Sequence, residues 1–315
     1  MADQTDIALR FAVMGTGGVG GYFGARLANA GAKVAFIARG PHLEAMRATG
    51  LRIKSALGDA HVHPIEATDD PRRVGPVDVI LFTVKLYDTE TAATAIVPMI
   101  GDNTIVLSLQ NGVDAEETLV RRLGAGHVMG GASYIFSVIE DPGVIRHSGL
   151  IARIVFGEMD GQPSARAKAL LAAFDAAGIE AVLSDTIVNE LWRKFTLLAS
   201  IAALCGQMRK TLGPVLANAE TRRRLAGAMA EVVAVARARD VLLDDDLVEA
   251  HLAFADTLDG DMKPSLLQDL ERGARIEIEN LSGTVVRLGA EVGLSVPNHA
   301  AAYAQLKPYA DGRAT

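Results

Sequence analysis

The sequence predicts an α/β domain built on a doubly wound, mostly parallel sheet, followed by an all-α domain. Three observations carry that prediction. Short runs rich in Val and Ile alternate with helical patterns through the first half of the chain, the mark of βαβ units. A glycine-rich turn links the first of these runs to the first helical pattern. Strand patterns then stop, and only long Ala-, Leu- and Arg-rich helical text follows residue 185. A chain of 315 residues is expected to form two domains, here divided near Ser184 into 1–184 and 185–315.

Taken in order, FAVM (11–14) is the first strand and GYFGARLANAG the helix after its glycines. VAFIA (34–38) is the second strand, with HLEAMRATG as its helix. VDVILFTVK (77–85), TIVLSLQNG (104–112), HVMGGASYIFSVI (127–139) and IARIVFGE (151–158) continue the sheet. SARAKALLAAFDAAG reads as a helix ending at Gly178, and GIEAVLSD as the last strand.

Composition narrows the function. Half the residues are hydrophobic and 22% charged, too apolar and too mixed for a disordered chain. Thirty-eight acids against 31 bases leave a net charge of -7, which argues against nucleic acid or an anionic membrane surface as partner. The single cysteine, Cys205, forms no disulfide within the chain and points to a reducing compartment. The N-terminus starts acidic and polar and runs into a strand pattern, unlike a secretory signal. The most apolar later stretch, between Lys194 and Arg209, falls short of the roughly 20 residues that span a bilayer. A cytoplasmic protein without a membrane partner is expected.

Residues 15–20 read Gly15-Thr16-Gly17-Gly18-Val19-Gly20, a G-x-G-x-x-G turn between a strand and a small-residue helix. Gly15 suits the tight turn, Gly17 lets backbone approach a pyrophosphate, and Gly20 permits close helix–strand packing. The helix N-terminus supplies N–H donors and partial positive charge for phosphates. This is the arrangement of a Rossmann-type dinucleotide site. The end of the second strand carries Arg39 rather than an acid, the next acid being Glu44. A guanidinium there suits a 2′-phosphate, so NADP(H) is favoured over NAD(H).

A second candidate site lies in TIVNELWRKFTLLASIAALCG. At about 100° per residue, Lys194 falls between Leu198 and Ile201, inside the apolar stripe of Leu191, Phe195, Leu198 and Ala202. Arg193 and Ser200 fall opposite. A buried ammonium loses its proton more readily and suits acid–base work; a lysine snorkelling at the edge of the stripe would show the same spacing. In RIEIENLSGTVVRLG, read as helical, Glu277 borders the apolar face of Ile278, Leu281, Val285 and Leu288, while Glu279 points away. Lys85 and Asn111 follow strand patterns, where open α/β sheets bind ligands, although a solvated strand end and an ordinary Asn-Gly turn fit them equally.

The opening through GTGGVGGYFGARLANAG to IARG, the VK at 84–85, QNGVD at 110–114, NELWRKF at 189–195 and SLLQDLERGARIEIENLSG at 265–283 occur together and in order. Across nearly its whole length the chain resembles the ketopantoate reductases (2-dehydropantoate 2-reductases). The resemblance implies a Rossmann-type domain followed by a helical domain, as in 6-phosphogluconate-dehydrogenase-like folds, and NADPH-dependent reduction of a 2-keto acid within pantothenate biosynthesis. By the same resemblance Lys194 is the general acid and Glu277 lies near it and the nicotinamide ribose. Asn111 lies between nicotinamide and substrate, Ser265 bonds the substrate, Lys85 is on the cofactor side, and Arg39 takes the 2′-phosphate. A homodimer is a candidate assembly, with the oligomeric state left open by the sequence.

Three positions depart from the family pattern: Leu198, Ala202 and Met262 stand where asparagines often contact the substrate. Apolar side chains there disfavour a substrate that needs those donors, so the expected substrate is 2-dehydropantoate or a related, more apolar 2-keto acid. The rival readings are another dehydrogenase of the same plan, opine- or 6-phosphogluconate-type, and a non-catalytic NADPH sensor. No metal site is expected, His61 and His63 being read as a solvated strand face. Asp244–246 read as a helix start, Arg222–224 as a solvated helix face and Cys205 as core.

Overall fold

The computed structural model describes residues 7–313; the acidic start of the chain, residues 1–6, lies outside them. The chain forms two compact units. One runs to Gln110 and resumes over Ala115–Ile187, and the other combines Asn111–Asp114 with the chain from Val188.

The first unit carries ten strands: β1 (Arg10–Met14), β2 (Lys33–Ile37), β3 (Leu51–Ser55), β4 (Ala60–Val62), β5 (Glu66–Thr68), β6 (Val77–Phe82), β7 (Ile100–Ser108), β8 (Val128–Asp141), β9 (Val144–Glu158) and β10 (Glu180–Leu183). They form one sheet in the order β4-β3-β9-β8-β7-β6-β1-β2-β5, with β10 paired to the second half of β9. Among the described residues seven of the nine pairings are parallel, and β3–β4 and β8–β9 are antiparallel. The helices of this unit are α1 (Gly18–Asn29), α2 (Gly40–Thr49), α3 (Thr89–Ala95), α4 (Ala115–Leu123) and α5 (Ala165–Ala176).

The central strand explains the winding. Phe11 and Val13 of β1 pack with Phe23 and Leu27 of α1, Met46 of α2 and Phe174 of α5. Ala12 and Met14, pointing the other way, pack with Ala93 of α3 and Leu119 of α4. Both faces of the sheet are therefore covered, as period-two side-chain alternation demands of a run that is apolar throughout. The sequence patterns leave β3 and β5 unmarked and show β4 only as the strand face of His61 and His63. These strands are three to five residues long and carry charged or polar residues, and β3 and β5 owe their place to pairing with β9 and β2. The patterns at 127–139 and 151–158 proved to be the two arms of one long hairpin, β8–β9.

The second unit is helical: α6 (Ile187–Met208, its first residue grouped with the sheet), α7 (Leu212–Ala217), α8 (Ala219–Ala238), α9 (Leu247–Asp256), α10 (Ser265–Glu271), α11 (Ser282–Glu291) and α12 (Pro297–Leu306). Among the described residues no strand follows Leu183, and no helix is long and apolar enough to cross a membrane. From Ala199 to Gly206 every residue of α6 is buried, so the middle of this helix is core all round. That corrects the expected polar position of Ser200, which is fully buried with its hydroxyl unpartnered. Cys205 is buried as well, and burial pushes its thiol up to about 12.

A second correction concerns Glu277. The helical reading of 275–289 is right only from Ser282 onward. Arg-Ile-Glu-Ile-Glu alternates with period two, and residues 274–277 are irregular, Ile276 N–H donating to the Ala310 carbonyl at 3.0 Å. Ile276, Glu277 and Ile278 are nevertheless all buried, and Glu279 is exposed.

The features set aside have structural partners. His61 Nε2 lies 2.7 Å from the Thr49 carbonyl, so it donates there, and its ring stacks on His63 at 5.9 Å. Asp244 and Asp245 reach back to Arg193 and Arg237 rather than capping α9. Arg222 is forked on Asp256 at 2.6 and 2.7 Å.

Candidate active site

The glycine turn has the geometry its sequence implies. Gly15 sits at φ +97°, a conformation open to glycine at little cost, and a Cβ there would come within 2.8 Å of Val84 N. A Cβ on Gly20 would collide with Thr83 Oγ1, the Gly15 carbonyl and Val13, so this glycine lets α1 lie against the sheet. Gly18 is pressed on the Ser137 carbonyl in the same way. Gly17 differs: nothing lies within 4 Å of where its Cβ would be. It is the N-cap of α1, no side chain caps that helix, and no acid stands in the first turn. The open face of Gly17 and the uncapped N–H groups after it fit a pyrophosphate. Thr16 turns away from this face: its N–H and hydroxyl both donate to the Ile37 carbonyl at 2.9 Å, tying the turn to β2. Val19 is half-buried in the first turn and packs on the core.

The turn after β6 supports the glycines. Thr83 Oγ1 donates to the Gly15 carbonyl at 2.7 Å. Gln110, in sequence only part of a motif, is buried two residues past the end of β7 and holds this turn from the other side. Its Nε2 donates to the Val84 carbonyl at 3.0 Å and to Thr89 Oγ1 at 2.9 Å. Lys85 is half-buried within the turn so held.

Arg39 stands at the N-cap of α2 with its side chain 81% exposed. Its Nη2 donates to Asp88 Oδ2 at 3.0 Å. Sequence distance from the glycines had shown no acid near Arg39; the structure brings one from the next βα turn. The guanidinium remains open to an anion on its exposed side.

In the helical unit, Lys194 is half-buried on α6, between buried Leu191 and Ile201. Its Nζ donates to Asn111 Oδ1 at 2.8 Å. Asn111 thus belongs with the helices, although it follows β7 in the chain. Arg193, on the opposite face as its position in the helix requires, pairs with Asp244 at 2.5 Å. Asn111 Oδ1 accepts from the ammonium, while the amide NH2 remains a donor. One and two turns further along α6 lie Leu198, half-buried, and Ala202, buried; Met262 is half-buried beyond α9. Glu277 is buried. Ser265 is exposed at the first residue of α10. The structure therefore joins Lys194 to Asn111, and Arg39 to Asp88.

Comparison with known proteins identifies a family for the chain. The profile of the family described as Ketopantoate reductase PanE/ApbA matches residues 11–161, and that of its C-terminal part matches 186–310. An uncharacterized oxidoreductase, YkpB of Bacillus subtilis, is 30% identical over 303 residues, covering 96% of this chain and 99% of its own. The 2-dehydropantoate 2-reductase of Archaeoglobus fulgidus is 34% identical over 285 residues, covering 90% and 92%. The crystal structure of a PanE/ApbA family ketopantoate reductase from Ralstonia eutropha JMP134 superposes with a TM-score of 0.89 at 35% identity, covering 96% and 98%.

Proposed function

The chain belongs to the PanE/ApbA ketopantoate reductase family and is an NAD(P)H-dependent oxidoreductase; on that premise we propose that it reduces a 2-keto acid to the 2-hydroxy acid, with NADPH as cofactor and Lys194 as proton donor. The observation that carries this reading is the 2.8 Å bond from Lys194 Nζ to Asn111 Oδ1. An ammonium half-sheltered from water and held by a neutral amide keeps its proton until an oxyanion develops beside it. When bound, the dihydronicotinamide supplies the hydride to the carbonyl carbon. Lys194 meets the charge that accumulates on the carbonyl oxygen and passes a proton to it, while the Asn111 amide donates to the same group. The uncapped start of α1 and the open face of Gly17 hold the pyrophosphate, and Arg39 takes the 2′-phosphate. The sheet unit is thus the NADP-binding domain and the helical unit the substrate and catalytic domain.

Leu198, Ala202 and Met262 support a substrate with an apolar side chain. If the acid is 2-dehydropantoate the product is pantoate, the pantothenate precursor; related, less polar 2-keto acids are the alternative. The buried lone cysteine supports a cytoplasmic location, and a homodimer is the assembly to look for by light scattering. The test of substrate is kcat/KM with NADPH across a panel of 2-keto acids running from 2-dehydropantoate to branched and aromatic members. A clear preference for 2-dehydropantoate overturns the apolar-pocket reading. Lys194→Ala is expected to lower kcat by about a thousandfold, within the range of lost general-acid and oxyanion stabilisation, with NADPH affinity unchanged. Activity that survives it removes Lys194 as donor.

A further inference from the structure

The segment Asn111–Asp114 is fastened to the helical unit at both ends. At one end Asn111 Oδ1 accepts from Lys194 Nζ at 2.8 Å. At the other, Asp114 Oδ2 accepts from Thr284 Oγ1 at 2.9 Å and from Arg287 Nη2 at 3.0 Å. Thr284 is buried, and the Asp114 side chain is only 22% exposed. Both donors lie on α11, one turn apart, and Arg287 is steadied in turn by Glu291 at 2.8 Å. Nothing in the proton-transfer reading requires Asp114, yet its carboxylate holds two donors in a sheltered place, where such bonds are strong.

We propose that Asp114 is a positioning residue of the reduction: clamped by Thr284 and Arg287, it fixes the four-residue segment so that Asn111 Oδ1 stays on the Lys194 ammonium. Only Gly112 and Val113 separate the two polar anchors, and glycine leaves its backbone free to turn; without the second anchor the short turn is free to swing Asn111 away from Nζ. Losing that acceptor removes a stabiliser of the charged amine, so the lysine gives up its proton at lower pH. Proton donation then fails earlier as pH rises.

This inference rests on Lys194 as proton donor and is tested alongside it. Asp114→Ala, Thr284→Val and Thr284→Ser are assayed with NADPH and the panel acid turned over fastest, from about pH 6 to about pH 11, a range that includes the ordinary lysine value. Asp114→Ala and Thr284→Val are expected to lower kcat by about tenfold to a hundredfold, the range of one hydrogen bond to a charged group. KM for NADPH stays unchanged, and the alkaline limb of the kcat profile moves to lower pH. Thr284→Ser keeps the hydroxyl and restores both. The double variant Asn111→Ala/Asp114→Ala should be no slower than Asn111→Ala alone, because Asp114 acts through Asn111. Additive losses, or an unmoved alkaline limb, overturn the proposal. If Asp114→Ala fails to fold, Thr284→Val and its serine rescue decide the matter alone. A collapse with Lys194→Ala but full activity in the clamp variants defeats only this inference; activity surviving in Lys194→Ala defeats the reading beneath it.

Discussion

Asp88→Asn is the sharpest probe of cofactor choice. Arg39 donates to Asp88 at 3.0 Å and is mostly exposed, so a 2′-phosphate on the same guanidinium must share it with a carboxylate. Two anions sharing one guanidinium stand roughly 5 Å apart, where unit charges in water repel by about 0.8 kcal/mol. Physiological salt removes about half of that, and a phosphate monoester carries nearly two charges. The net is about 0.7 kcal/mol, a factor of about three. Asparagine has nearly the same shape and carries no charge. Asp88→Asn should therefore tighten NADPH binding about threefold, leave NADH binding unchanged, and show a smaller gain as salt rises. Titrating each cofactor by fluorescence at low and high salt measures this directly. Weaker NADPH binding would mean that Asp88 steadies Arg39 for the phosphate instead of opposing it. Equal changes for both cofactors would mean that Arg39 does not meet the 2′-phosphate at all.

Three further outcomes are expected. Gly17→Ala should leave the thermal midpoint unchanged, because its Cβ meets nothing, yet weaken NADPH binding; Gly20→Ala should lose stability as well, by about 1–3 kcal/mol, the cost of overpacking, and calorimetry with and without cofactor separates them. Glu231 of α8 accepts from Asn298 N, Asn298 Nδ2 and His299 N at 2.8, 2.7 and 3.0 Å, capping α12 where no local side chain does; Glu231→Ala should cost about 3 kcal/mol in urea unfolding, since buried donors lose their acceptor. His299 is fully buried, and burial pushes its imidazole down to about 4. The folded protein thus resists a proton that the unfolded chain accepts near 6.5. Stability from this group is complete above about pH 6.5 and is lost at about 1.4 kcal/mol per pH unit down to about pH 4. Urea midpoints over that window should fall more steeply in the parent protein than in His299→Gln, and equal slopes would refute the assignment.

The features legible in the sequence are those whose cause is local. Gly15 is needed because the turn after β1 demands a positive φ, and Gly20 because α1 must lie close to the sheet; both are readable from the spacing alone. The runs at β1, β2, β6 and β7 are apolar at nearly every position because both faces of the sheet are covered, and that too is written in each run. Lys194 inside an apolar stripe follows from 100° per residue. Periodicity, however, records only which face is buried and not what is opposite it. It could not show that α6 is surrounded at Ser200, or that alternating Ile276, Glu277 and Ile278 are buried without being helical. β3 and β5 are strands because distant partners complete their hydrogen bonds. Asp88 reaches Arg39 across 49 residues, and Asp114 reaches Thr284 across 170. Such pairs carry no spacing rule, because the approach of remote segments is decided by how whole layers pack. The residue types proposed to hold the cofactor and carry the proton were therefore determined by the sequence itself. The partners that tune them, Asp88 for Arg39 and the Asp114 clamp for Asn111, were decided only when the chain had folded.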